Sequence, residues 1–315
     1  MNRQRIDTHT HVVPPRYLDW LRSQPDYRGA LVDWNEAAAL EAFEKKGIET
    51  GILSVSSPGV RFGPDNDAQQ SRDLARYVNE FCADVVRKDS QHFGFFATVV
   101  LPDLEGSIEE ARYALDDLHA DGVTLFANTE GTYLGSPQLD PLLEMLNERG
   151  AAIFVHPTAL PGPRVADISP GAVDFLADTS RAAASLVKHD CLIRYPDLRF
   201  ILSHGGGYVP YAATRIACMI DRNADQDEVI SELQKFYFDT AMIGGPYALP
   251  SLLAFADPSH ITFGSDWPYE FRPDQSRHFT DRFDAFELTD VQRRSIDRGN
   301  AEALFPRLAK IERYC

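Results

Sequence analysis

Cysteine is scarce in this chain: Cys82, Cys191, Cys218 and Cys315 are scattered over 315 residues with no CxxC pair. That argues against a disulfide framework and a cysteine-built zinc site, and makes a reducing, cytoplasmic compartment the expectation. Positive charge is in deficit as well, with 31 Lys and Arg against 47 Asp and Glu, a net charge of −16. A field of that sign repels a phosphate backbone and no basic patch offsets it, so no nucleic-acid partner is expected. No apolar run approaches the ~20 residues of a membrane span, and the start, Met1 to Asp7, lacks the apolar core of a signal peptide; no membrane partner is expected either. Low-complexity tracts, domain linkers and sequence repeats are missing. What remains is ordinary globular composition, 44% hydrophobic and 25% charged, which excludes wholesale disorder and suits one large α/β domain spanning 1–315.

Short β-rich runs alternate with helical patterns from end to end, the signature of repeated βα units around a parallel sheet. Eight strands are predicted: Arg5–Thr8, Thr50–Ser56, Phe93–Val100, Gly122–Phe126, Ala152–His156, Arg199–Ser203, Phe236–Asp239 and Ile261–Gly264. Helices are predicted at Trp34–Lys46, Gln69–Lys88, Ser107–Ala120 and Pro137–Arg149, several with a basic last turn and a glycine just beyond it. Eight strands predict a closed (β/α)8 TIM barrel, distorted by insertions after strands one and five. The first insertion, Pro14–Asp33, reads as a loop; the second, Pro157–Pro170, holds four prolines. Loops that follow strands line the active face of such barrels, so both are candidate substrate walls.

His9-Thr10-His11 is the strongest chemical feature. In an extended strand, residues i and i+2 point to the same side, so both imidazoles can converge on a metal. The pair alone also fits a partly exposed strand end. Position changes the weighing: His156, His204 and Asp266 each stand at the end of a predicted strand. In a parallel barrel all those ends meet at one mouth. Three imidazoles and one carboxylate, His9, His11, His156 and Asp266, match a divalent ion such as Zn2+ with positions left open for water or substrate. His204 is then free to move a proton, unless it is a further ligand. Gly205-Gly206-Gly207 is not a phosphate-loop pattern and is read as a sharp turn. Asp7 and Asp239 are expected as supports of the site or as groups that merely end strands.

His9-Thr10-His11, Phe154-Val155-His156-Pro157, Leu202-Ser203-His204-Gly205-Gly206 and Phe263-Gly264-Ser265-Asp266-Trp267-Pro268 together resemble the amidohydrolase superfamily, in the branch typified by aminocarboxymuconate semialdehyde decarboxylase. Pro58-Gly59, Gly94-Phe95-Phe96-Ala97, Phe236-Tyr237-Phe238-Asp239-Thr240-Ala241 and Leu304-Phe305-Pro306-Arg307-Leu308 are similar to the 6-methylsalicylate decarboxylases within it. The resemblance implies a distorted (β/α)8 barrel with one ion on His9, His11, His156 and Asp266, His204 as catalytic histidine, and a homodimer. Two-metal relatives carry a modified lysine after strand four; Gly122–Thr129 has none. The branch's carboxylate-binding arginine has no counterpart in Glu36–Lys46, which leaves Arg61 and Arg164, with Trp267 beside Asp266, as expected substrate contacts.

The expected reaction is non-oxidative decarboxylation of an ortho-hydroxylated aromatic acid such as 6-methylsalicylate. Direct loss of CO2 would leave an unstabilised aryl carbanion, so the ring carbon is protonated first, by Asp266 or His204. A metal, Zn2+ or alternatively Mn2+, supplies the attraction for an anionic substrate that the net charge withholds. Two other readings compete: a hydrolase or hydratase using metal-bound hydroxide, and a non-catalytic barrel with a structural ion.

Overall fold

In the computed structural model, residues 4–62, 67–163, 167–220, 222–269 and 279–309 are described. Eight strands run in chain order around one sheet: β1 (Arg5–His11), β2 (Ile48–Ser54), β3 (Phe93–Thr98), β4 (Gly122–Phe126), β5 (Ala152–His156), β6 (Arg199–Leu202), β7 (Tyr237–Asp239) and β8 (Ile261–Thr262). All neighbouring pairs are parallel. Parallel bridges Asp7 to Phe263 and Thr10 to Trp267 join the last strand to the first and close the barrel. This is the predicted (β/α)8 architecture.

Several of the helices begin where a side chain takes a free backbone N–H. Asn35 caps α2 (Glu36–Lys46), Asp67 caps α3 (Ala68–Lys88) and Asp103 caps α4 (Leu104–Arg112). The Asp103 cap starts α4 three residues before the predicted Ser107, and a wider turn at Tyr113–Asp117 follows it. Pro14–Asp33, expected as a loop, contains α1 (Pro15–Ser23), whose Tyr17, Leu18 and Leu21 are buried. An apolar stripe of that kind gains more by packing on the barrel than by remaining in solvent.

Two cores result from alternation along the strands. Outward side chains meet the helices, while Ile6, Ile52, Phe96, Ala152, Phe154 and Ile201 fill the barrel with Phe305 and Leu308 beneath. Phe96 and Phe154 stack with centroids 5.4 Å apart and form the floor on which the site rests.

One irregularity sets that site. Asp7 lies opposite Gly51 and Thr10 opposite Leu53, so β1 advances three residues where β2 advances two. Such a bulge reverses the parity of everything after it. Ile6 and His9 are an odd number of residues apart, yet both face the interior, where the His9 ring sits 4.8 Å from that of Phe154. Asp7 pins the bulge: its Oδ1 accepts from the N–H of His9 at 3.0 Å and of Ser265 at 3.1 Å. Burial pushes its carboxyl up to about 7.

Candidate active site

The barrel's upper rim gathers the five side chains expected to carry the chemistry. His9 and His11 close β1, which runs three residues beyond the predicted strand end, and His156 closes β5. His204 and Asp266 follow β6 and β8 in left-handed backbone, at φ 54° and 61°. At His204 this turns the chain sharply after the strand, and Gly205, Gly206 and Gly207 continue the turn at positive φ, as predicted. A Cβ on Gly207 would lie 2.1 Å from the Leu176 carbonyl.

His9 Nε2 lies 3.1 Å from His11 Nε2 and 3.3 Å from Asp266 Oδ1, and His11 Nε2 is 3.1 Å from the same oxygen. With His156, one ligand atom from each of the four residues falls within 4.8 Å of all the others. The rings' opposite edges explain the orientation. His9 Nδ1 is 2.7 Å from Asp239 Oδ2, His11 Nδ1 is 3.2 Å from the Ser54 carbonyl, and His156 Nδ1 is 2.8 Å from the Pro157 carbonyl. Each acceptor holds a proton on Nδ1, so the Nε2 lone pairs turn toward one point. Lone pairs and a carboxylate oxygen packed this closely repel one another unless a cation lies between them. The set therefore fits a divalent metal.

The electrostatics agree. Burial disfavours the charged form of His9, but Asp239 and Asp266 outweigh it and push the group up to about 10. Burial holds His11 below its ordinary value and His156 well below, and lowers His204 as well. Burial would raise Asp266, yet His9 and His11 keep it well below the usual carboxylate range. Without an ion the cluster's positive charge falls on His9, between Asp239 and Asp266; a metal at that point would supply the charge instead and leave the imidazole neutral.

Asp239 is the hub beneath. Fully buried, it accepts from His9 Nδ1 through Oδ2 and from the backbone N–H of His204 and Ala241 through Oδ1, at 2.9 and 3.0 Å. It thereby links β1 to the turn that carries His204. His204 Nδ1 is 3.3 Å from the Ala241 carbonyl, which leaves Nε2 as the open atom.

Beside the cluster, over β2 to β4, opens a cavity of about 550 Å3. Phe126 belongs to both regions, lining the cavity while its ring meets that of His156 at 6.0 Å. Thr158, Ala159, Leu160, Pro161 and Gly162 form another wall, as expected of the proline-rich segment. Pro14–Asp33 lines none of it among the described residues. Instead Tyr17 donates to the Gly59 carbonyl at 2.9 Å and braces the loop that does.

Three expected substrate contacts fare differently. Arg61 lines the cavity, but its Nε is 3.0 Å from Glu130 Oε1, so its charge is engaged. Arg164 lies outside the described residues. Trp267 points the other way: its ring packs on Phe43 of α2, 6.1 Å between centroids, on the outer side of β2. The left-handed turn at Asp266 directs its carboxylate inward and leaves Trp267 facing out. Tyr269, with its ring 5.3 Å from that of His11, takes the place beside the cluster that Trp267 was expected to hold. Ser54, Thr98 and Thr124 were also missed; each stands two residues beyond an inward position on its strand, Ile52, Phe96 and Gly122, so continued alternation was the available signal.

The amidohydrolase family profile matches residues 6–307. The chain belongs to the amidohydrolase family. Over 98% of its length and 98% of theirs, it is 35% identical to the 6-methylsalicylic acid decarboxylase of Penicillium expansum and 37% identical to that of Aspergillus aculeatus. A solved amidohydrolase II is 28% identical with a TM-score of 0.85, covering 96% of this chain and 99% of that one. The dihydroxybenzoic acid decarboxylase of Polaromonas, solved with manganese and 2-nitroresorcinol, shares the fold at 24% identity and a TM-score of 0.80 over 99% of both chains.

Proposed function

We propose that this amidohydrolase is a metal-dependent carboxy-lyase that removes CO2 from an ortho-hydroxylated aromatic acid of the 6-methylsalicylate type. The observation that carries the reading is the convergence of His9, His11, His156 and Asp266 on one point beside a cavity of about 550 Å3, roomy enough for a substituted benzoate. Full-length relatives that are themselves decarboxylases support the choice of reaction.

These four residues are the proposed ligands of one divalent ion. Three nitrogens and one oxygen favour Zn2+, with Mn2+, the ion in the Polaromonas relative, as the competitor. When bound, the ion would lend positive charge to the oxygens of an ortho-hydroxy acid. The chain's own groups do the rest. Phe126 and the Thr158–Gly162 wall position the ring and exclude water from it. His204 Nε2 and the Asp266 carboxylate are the groups placed to carry the proton that reaches the carboxylated ring carbon. With that carbon protonated, the C–C bond breaks, its electron pair restores the aromatic ring, and CO2 leaves. Arg61, once released by Glu130, is positioned to meet a ring substituent at the cavity wall.

A homodimer is proposed by resemblance and is read by light scattering. A cytoplasmic location is proposed on the sparse, unpaired cysteines; Cys82, Cys191 and Cys218 are free, and no described helix is long and apolar enough to cross a membrane. The function is tested by loading the protein with Zn2+ or Mn2+ and measuring CO2 release from hydroxybenzoates alongside ring opening of lactones. Release of CO2 that disappears with the metal supports the reading. Lactone hydrolysis without CO2 from any acid would replace it with the hydrolase.

A further inference from the structure

The cavity beside the cluster is larger than a single ring needs. About 150 Å3 is enough to enclose a benzene ring. This cavity measures about 550 Å3, the size that receives a ligand of several linked groups. Nor does the whole acid enter it. None of the four converging side chains is among the residues that line it, so a carboxylate and an ortho hydroxyl held at their meeting point stay outside, and the ring reaches only the inner end. Phe126 marks that end. It closes β4 as the register partner of His156, with the two rings 6.0 Å apart. Behind it lies backbone: a Cβ on Gly59 would come 2.5 Å from Phe126 Cε2, so the ring is packed against the chain and holds its place.

The wall sets the chemistry of whatever fills the rest. Val60, Phe62, Val99, Leu101 and Leu160 supply apolar surface. Most polar side chains on it are turned to one another or away. Ser57 and Thr158 hydroxyls bond each other at 2.8 Å, Asn128 donates to Asp178 and Ala159, and Arg61 forms a partly exposed pair with Glu130. Thr98 and Thr124 line the cavity too, but their hydroxyl oxygens show essentially no surface. A charged group placed here would be dehydrated without a partner, while each apolar carbon withdrawn from water is stabilised.

We infer that the substrate ring carries, besides the ortho hydroxyl and the carboxylate, an apolar substituent several carbons longer than methyl, and that the cavity beyond Phe126 is its subsite. The substrate class is a salicylate with an alkyl chain rather than a compact benzoate. This rests on the decarboxylase reading above and narrows it.

The test is a homologous series: salicylates bearing methyl, propyl or pentyl, compared one ring position at a time for CO2 release by the metal-loaded enzyme. At one position kcat/KM should rise about threefold or more for each added methylene, as burial of that group from water provides. KM should carry the rise with kcat nearly constant, because the chain is held alike in substrate and transition state. Val99→Phe, which fills the cavity from just beyond β3, should flatten the series. Val99→Leu, a smaller filling, should move the best chain to a shorter one and decides the matter if the phenylalanine protein does not fold. A wild-type series that is flat or falling beyond methyl at every position, or a rise that the cavity-filling variants leave unchanged, overturns the inference while the decarboxylase reading stands. No CO2 from any acid of the series overturns both.

Discussion

The two halves of the barrel mouth are built from the same element, a strand end turning into a loop, but present different chemistry. From β5 through β8 and round to β1, the inward ends are His156, His204, Asp239, Asp266, His9 and His11, the four histidines each held at Nδ1 by a partner on the far side. From β2 to β4 they are Ser54, Thr98 and Thr124, neutral hydroxyls beside an apolar cavity. Ser54 and Phe126 cross between them, Ser54 with its hydroxyl 3.1 Å and its carbonyl 3.2 Å from His11 Nδ1 and Phe126 with its ring against that of His156. On the proposed function, the charged half would hold an ion and move a proton, and the neutral half would receive the ring. An anionic aromatic substrate needs both together, since strong charge over the ring would favour water and an apolar site alone would not hold a carboxylate.

The contrast can be broken most severely on the charged side. His156→Ala should abolish stoichiometric metal binding and lower CO2 release by about 10³-fold or more, since one of four ligands is lost while the floor of Phe96 and Phe154 is untouched. Metal analysis with circular dichroism checks it; a folded, metal-loaded and active variant would remove His156 from the centre. Next in size is Asp239→Asn. The amide keeps the shape but loses the charge that fixes the His9 tautomer, so metal affinity should fall by about 10–100-fold, as measured by titration against a chelator. Equal affinity would reduce Asp239 to a structural link. The smallest effect belongs to the neutral half: Arg61→Ala removes one side of a partly exposed pair with Glu130, and KM should shift by less than about tenfold with kcat nearly unchanged. A collapse of kcat would make Arg61 part of the charged half after all.

Much of the charged half was legible before any coordinates. Histidine and aspartate at the ends of short β-rich runs point to one rim once the runs are read as parallel strands, and His9 and His11 share a side in any extended chain. The neutral half was not. Thr98 and Thr124 are unremarkable in a strand until the tertiary structure sets them on a cavity wall. Asp239 could be located at the end of a strand, yet its three bonds run to residues 2, 35 and 230 positions away.

By itself, the order of residues determined the βα alternation, the number of strands and which of them end in a histidine or an aspartate, because these follow from local periodicity and composition. Which side those chains face was a tertiary decision. The additional residue between Asp7 and Thr10 reverses the parity of β1 only because β2 and β8 lie against it, and the left-handed turn at Asp266 directs the carboxylate inward and Trp267 outward. Alternation is a property of one strand, but inside and outside exist only when the barrel has closed.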